Sequence, residues 1–236
     1  KKAALIYKRA ADFGDPEAEV GYGKMLEKGL GGKENLDLAF FYYEAAYKAH
    51  NPSGTYHYAR ALQNGIGTQK NLQLACEVYE KAALLGDPDA MNSYGKMLEA
   101  GVAHRVSVSA SIPHSSQIKL TLPKQFHHSN EDLMNADDES QVNDIEEAAK
   151  YYKMAADAKN PEGLFNYGRI LELGCAKSIP RDINESFNYY KMAADEGNSD
   201  GMYNTARMLQ DGIGTSRDLK LAFYYFEKAS QTNLNS

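Results

Sequence analysis

The stretch DPEAEVGYGKMLEKG (residues 15–29) returns four times along the chain. It appears as NPSGTYHYARALQNG (51–65), DPDAMNSYGKMLEAG (87–101), NPEGLFNYGRILELG (160–174) and NSDGMYNTARMLQDG (198–212). The copies align without gaps, and their starts lie 36, 36, 73 and 38 residues apart, so a period near 36 is interrupted once by an excess of 37. Each copy opens on Asp or Asn, whose side chain accepts from orphan amides of a first helical turn. Pro stands next in four of them and Gly closes all five, the asymmetry expected at the two ends of a helix. Inside each copy a small residue (Ala18, Gly54, Ala90, Gly163, Gly201) is followed by a second (Gly23, Ala59, Gly95, Gly168, Ala206). A leucine comes three residues later (Leu26, Leu62, Leu98, Leu171, Leu209).

A second periodic segment follows each copy: LDLAFFYYEAAYKA, LQLACEVYEKAALLG, INESFNYYKMAADEG and LKLAFYYFEKAS, with the third copy resuming late as IEEAAKYYKMAADA from Ile145. A truncated version, AALIYKRAADFG, opens the chain. Small residues at Ala39, Ala75, Ala148, Ser186 and Ala222, and again at Ala46, Ala82, Ala155, Ala193 and Ala229, flank Tyr43, Tyr79, Tyr152, Tyr190 and Phe226. Steps of three and four residues place these on one helical face. Each unit is then a helix–loop–helix too small to hold a core alone, and it must stack on its neighbours.

The pattern resembles the Sel-one-like repeat, a relative of the tetratricopeptide repeat, with the Tyr and Leu of its first helix exchanged in position, as in Tyr22-Gly23 to Leu26. The resemblance covers nearly all of the chain outside residues 102–143. It implies an all-α fold, a right-handed α-solenoid of helix-loop-helix repeats used as a protein-binding scaffold. It further implies an intracellular, cytoplasmic setting, because the cysteine pairs of the secreted branch are absent. Residues 1–101 and 144–236 are expected to form one continuous solenoid carrying an inserted segment at 102–143, and Lys1 falls inside a repeat, as in a piece of a longer array.

Composition narrows the function classes. The 236 residues are 43% hydrophobic and 25% charged, and 26 Lys+Arg against 32 Asp+Glu leave a net charge of −6. An acidic chain lacks the basic face that displaces counterions from phosphates, so no nucleic-acid partner is expected. Mean hydropathy is −0.58, and no apolar run approaches the ~20 residues of a membrane span. Cys76 and Cys175 form no ligand or disulfide spacing. Gly65-Ile66-Gly67 and Gly212-Ile213-Gly214 lack the third glycine and the preceding strand of a dinucleotide loop, and are read as repeat loops. No nucleophile–base pair or paired-carboxylate constellation stands out. The expectation is no enzyme, no cofactor and no metal.

One column carries a binding hypothesis. Lys24, Arg60, Lys96, Arg169 and Arg207 occupy equivalent positions of the five first segments. Tyr56, Phe165 and Tyr203 stand four residues before three of them, and Glu27, Gln63, Glu99, Glu172 and Gln210 three residues after. On one helix such neighbours meet, so a cation can lie beside both a ring and a carboxylate. The functional reading is a stripe that grips a protein partner in the solenoid groove. The structural reading is a ladder of intra- and inter-repeat ion pairs, which are common and individually weak when exposed.

The insertion has neither Tyr nor Gly. RVSVSASI (105–112) and QIKLTL (117–122) alternate apolar and polar residues around a Pro113-His114-Ser115-Ser116 turn and read as a β-hairpin followed by a polar stretch. Val106, Val108, Ile118 and Leu120 are its candidate contact residues. His127 and His128 match no usual metal-ligand spacing. The function expected is a non-catalytic scaffold or adaptor within a larger assembly. The competing reading is the regulatory repeat region of an enzyme whose catalytic module lies outside this chain.

Overall fold

The chain, seen in a computed structural model, is described here for residues 2–102, 139–175 and 178–233. Among these residues it is all-α, with eleven helices and no strand. Two compact units divide it, Lys1–Tyr94 and Gly95–Ser236. The first holds α1 (Lys2–Asp12), α2 (Pro16–Glu27), α3 (Leu36–Lys48), α4 (Pro52–Asn64), α5 (Leu72–Leu84) and the start of α6 (Pro88–Glu99). The second holds the end of α6, then α7 (Glu139–Asp157), α8 (Pro161–Leu173), α9 (Ile183–Asp195), α10 (Ser199–Asp211) and α11 (Leu219–Asn233). Within each unit successive helices pack on one another as stacked helical hairpins, an all-α solenoid.

Local chemistry sets both ends of the helices. Asp15, Asn51, Asp87, Asn160 and Asn198 each accept from the backbone amide three residues on, at 2.7–2.9 Å. A second set of caps opens the other helices. Asn35, Asn71, Asp182 and Asp218 accept from Leu38, Leu74, Glu185 and Leu221, and their own amides donate back to Leu26, Leu62, Leu171 and Leu209 of the preceding helix. Each inter-helix loop is thereby closed on itself. Gly67 and Gly214 sit in those loops at φ +63° and +68°. Each also lies directly against the first carbonyl of an earlier helix, that of Leu36 or Ile183, where a Cβ would collide. The two Gly-Ile-Gly motifs are therefore structural loops.

The core is a layered stripe. Tyr43, Tyr79, Tyr152 and Tyr190 are fully buried, each beside alanines of its own helix. Three of the rings lie on a glycine of the helix before: Tyr43 on Gly23, Tyr152 on Gly95 and Tyr190 on Gly168. The opening small residue of each copy has a different task. Gly54, Gly163 and Gly201 face Ala46, Ala155 and Ala193 of the preceding helix with no room for a side chain. Burying a tyrosine between small residues brings backbones close and removes a large apolar area from water.

The third repeat departs from its siblings. The expected resumption at Ile145 lies inside α7, which begins at Glu139 and runs 19 residues. The periodic stripe marks only the packed part of a helix, and the preceding turns, with no Gly or Pro to stop them, carry no repeat signature. Residues 103–138, with the anticipated β-hairpin and Val106, Val108, Ile118 and Leu120, lie outside the described residues, as do His127 and His128.

Two outcomes test this packing. Gly54→Ala gains helix propensity, worth up to about 1 kcal/mol, yet it places a methyl on Ala46. Urea unfolding should show a net loss of about 1–3 kcal/mol, and a gain would contradict the contact. The second concerns Asp87, whose buried carboxyl is pushed up to about 6 from an ordinary 3.8, chiefly by burial. The folded state thus holds this proton more tightly than the unfolded one. The residue's contribution is full below about pH 4 and is lost as pH rises through about 6. Asp87→Asn, which keeps the cap, should be the more stable chain at pH 7, with the difference in urea midpoint shrinking towards pH 4. A difference independent of pH would refute this.

Candidate functional site

The cation column lies on α2, α4, α6, α8 and α10, but its carboxylates come from a different place than the same-helix spacing suggests. Arg60 donates through Nη2 to Glu27 Oε2 at 2.5 Å, one repeat earlier. The same oxygen accepts the Tyr43 hydroxyl at 2.7 Å. Arg169 donates to both oxygens of Glu99 at 2.7 and 2.6 Å, and Tyr152 donates to Oε2 at 2.7 Å. Arg207 reaches Glu172 Oε1 at 2.6 Å while Tyr190 donates to Oε2 at 2.8 Å. Each joint unites the first helix of a repeat, the second helix of that repeat and the first helix of the next. Gln63 receives the Tyr79 hydroxyl at 2.7 Å in the same way.

The joints differ in depth. Arg169 and Glu99 are 14% and 3% exposed, whereas Lys96 and Glu162, at 3.4 Å, are 46% and 50% exposed. Burial and the Glu99 carboxylate push the Tyr152 hydroxyl well above its ordinary range, so it remains a donor. Burial opposes the charge of Arg169, but Glu99, Tyr152 and Tyr190 outweigh it and hold the guanidinium ionised. A buried, charge-assisted pair with a third donor is geometrically specific in a way exposed pairs are not.

The remaining candidate residues fall as follows. Tyr56, Phe165 and Tyr203 meet Tyr79, Tyr190 and Phe226 with ring centroids 5.9, 5.7 and 5.6 Å apart. Tyr56 and Phe165 are half-buried, while Tyr203 is exposed. Lys24 and Lys96 are exposed, and Lys24 has no ion-pair partner within 4 Å among the described residues. His57, which the sequence did not single out, stacks on Tyr43 at 5.1 Å. Burial, then Lys24, Arg60 and Lys28, push it down to about 3, so it is neutral at physiological pH. Among the described residues no group of three or more His, Cys, Asp or Glu is placed to hold a metal ion, and no helix is long and apolar enough to cross a membrane.

The repeats themselves have a counterpart in known proteins. The Sel1 repeat model matches residues 16–51, 52–87, 137–160, 161–198 and 199–231. The chain belongs to the Sel1 repeat family. Among solved structures, a Sel1 repeat protein from Oxalobacter formigenes is 21% identical with a TM-score of 0.69, over 95% of this chain and 79% of that one. The immunity proteins PA5088 and Pa5087 from Pseudomonas aeruginosa are 18% and 16% identical, with TM-scores of 0.58 and 0.57, over 98% of this chain and 73% of each of theirs. No curated protein matches. Sel1-repeat proteins are generally protein-interaction scaffolds, and their tetratricopeptide-like fold is typically non-catalytic.

Removing one partner of a buried pair strands the other's charge. Arg169→Met should therefore cost about 3–5 kcal/mol. Arg207→Met should cost less, since its pair is more exposed, and Lys96→Met no more than about 1 kcal/mol. Urea unfolding of the three variants checks the order, and equal losses would contradict it.

Proposed function

We propose that this Sel1 repeat chain is a non-catalytic scaffold or adaptor that binds protein partners as part of a larger assembly. The observation that carries this reading is the division of labour along the first helices. Arg60, Arg169 and Arg207 are turned into the stack, while Lys24, Lys96 and Tyr203 are exposed. A rigid frame with charged and aromatic side chains left outward has little ordering entropy to lose on binding, which favours affinity. Aromatic and basic residues are also those enriched where proteins meet.

The contact surface proposed is the exposed part of the first-helix column in each unit, flanked by half-buried Tyr56 and Phe165, together with the segment 102–143. Val106, Val108, Ile118 and Leu120 are the contact residues proposed within that segment. Its lack of the repeat's Tyr and Gly marks it as the least constrained by stacking.

Affinity capture with the intact chain, with residues 102–143 deleted, and with Lys24→Glu, Lys96→Glu and Tyr203→Ala combined separates these surfaces. The reading expects a stable stoichiometric partner lost in at least one variant whose thermal melt is unchanged. Absence of any stable partner for the intact chain would overturn it.

A further inference from the structure

The third repeat closes differently from its siblings. In the second repeat, residues 65–71 link α4 to α5, and in the fifth, residues 212–218 link α10 to α11. Both links hold the second helix to the first through the backbone. Asn71 and Asp218, the caps of the second helices, donate their amides to Leu62 and Leu209 of the first, and Asp182 does the same to Leu171. In the third repeat the equivalent residue is Asp144, which stands inside α7 rather than ahead of it. An amide beyond the first turn is bonded within its own helix, so this way of closing a repeat is replaced there.

What closes the third repeat is the deepest of the side-chain joints. Glu99 of α6 is 3% exposed, against 16% for Glu27 and 21% for Glu172. It accepts Tyr152 of α7 on one oxygen and Arg169 of α8 on both. Gly95, one turn earlier on α6, seats the Tyr152 ring. Leu98 of α6 and Ile145, Ala148 and Ala149 of α7 are buried as well. All these residues lie in the second unit, and none of these contacts uses a residue between 103 and 138.

The most buried joint thus coincides with the longest link. The entropy lost in closing a link grows only with the logarithm of its length. Exposing or stranding a buried carboxylate that holds several donors is far more costly than parting a solvated pair.

We propose that the third repeat is a split repeat closed by side chains: α6 holds α7 and α8 through Gly95 and Glu99, and the chain between residues 102 and 139 can be cut without separating them. A cut, or a partner engaged on the link, then leaves the packing of α6 on α7 and α8 in place. That use rests on the interaction reading above; the closure itself does not.

The test is a recognition sequence for a specific protease, inserted between Ser115 and Ser116 of the full chain. After cleavage of the folded protein, the two pieces should co-elute in size-exclusion chromatography at micromolar concentration and keep the helical circular dichroism of the uncut chain. Tyr152→Phe keeps the ring on Gly95 and removes only the hydroxyl. It should leave the uncut chain folded and weaken association of the cut pieces about tenfold. Arg169→Met should weaken it about a hundredfold or more. Lys191→Met, in an exposed pair on α9, should leave it unchanged. Pieces that separate as soon as the link is cut would overturn the proposal. So would a link cut only after the chain is unfolded, since it would then belong to the packing. Equal effects of Tyr152→Phe, Arg169→Met and Lys191→Met would also overturn it. A cut chain that stays assembled but captures no partner, cut or uncut, keeps the closure and loses the scaffold reading. One that falls apart while the intact chain captures partners does the reverse.

Discussion

A carboxylate shared between a tyrosine hydroxyl of its own repeat and an arginine of the next is the interaction on which this solenoid depends. Hydrophobic layers alone tolerate small rotations and slips, because apolar contact is non-directional. The Glu99 joint is directional: two oxygens receive Arg169 and Tyr152 at 2.6–2.7 Å in an almost fully buried setting. Leaving any one group unpaired there is costly. Where it forms, at Glu27, Glu99 and Glu172, this joint therefore fixes the angle between the helices of a hairpin and the register of the next helix.

That constraint also decides which side chains of the column are left exposed. A side chain used in a joint is withdrawn from partners, so the same column divides into structural members, Arg60, Arg169 and Arg207, and exposed ones, Lys24 and Lys96. The glycines that seat the tyrosines cannot be exchanged for contact residues without lifting a ring. Tyr203 is likewise left exposed outside the joints.

Much of this was legible in the sequence. The caps at Asp15, Asn51, Asp87, Asn160 and Asn198, the terminal glycines and the Tyr–Ala stripe all act over three or four residues, the range at which spacing reports contact. The caps Asn35, Asn71, Asp182 and Asp218 were equally local, each standing just before a Leu or Ile, but the same signal at Asp144 lies inside α7, so it marks a helix start only where a loop precedes it. The pairing of Arg60 with Glu27 was not legible. Glu27 and Gln63 belong to one column, and within a helix the nearer of them, three residues from Arg60, is the natural partner. Choosing the more distant one requires the spacing between stacked helices, which periodicity does not contain. His57 was hidden for the same reason, since its environment is made by Tyr43 and lysines of another helix.

The central claim is that the buried joint couples successive repeats rather than decorating them. A double-mutant cycle measures it directly: Glu99→Gln, Arg169→Met and the pair, each unfolded in urea. The joint predicts a coupling energy of about 1.5–3 kcal/mol, clearly above that of a parallel cycle on Glu162 and Lys96. A coupling near zero at Glu99 and Arg169, with the two single losses simply adding, would contradict it.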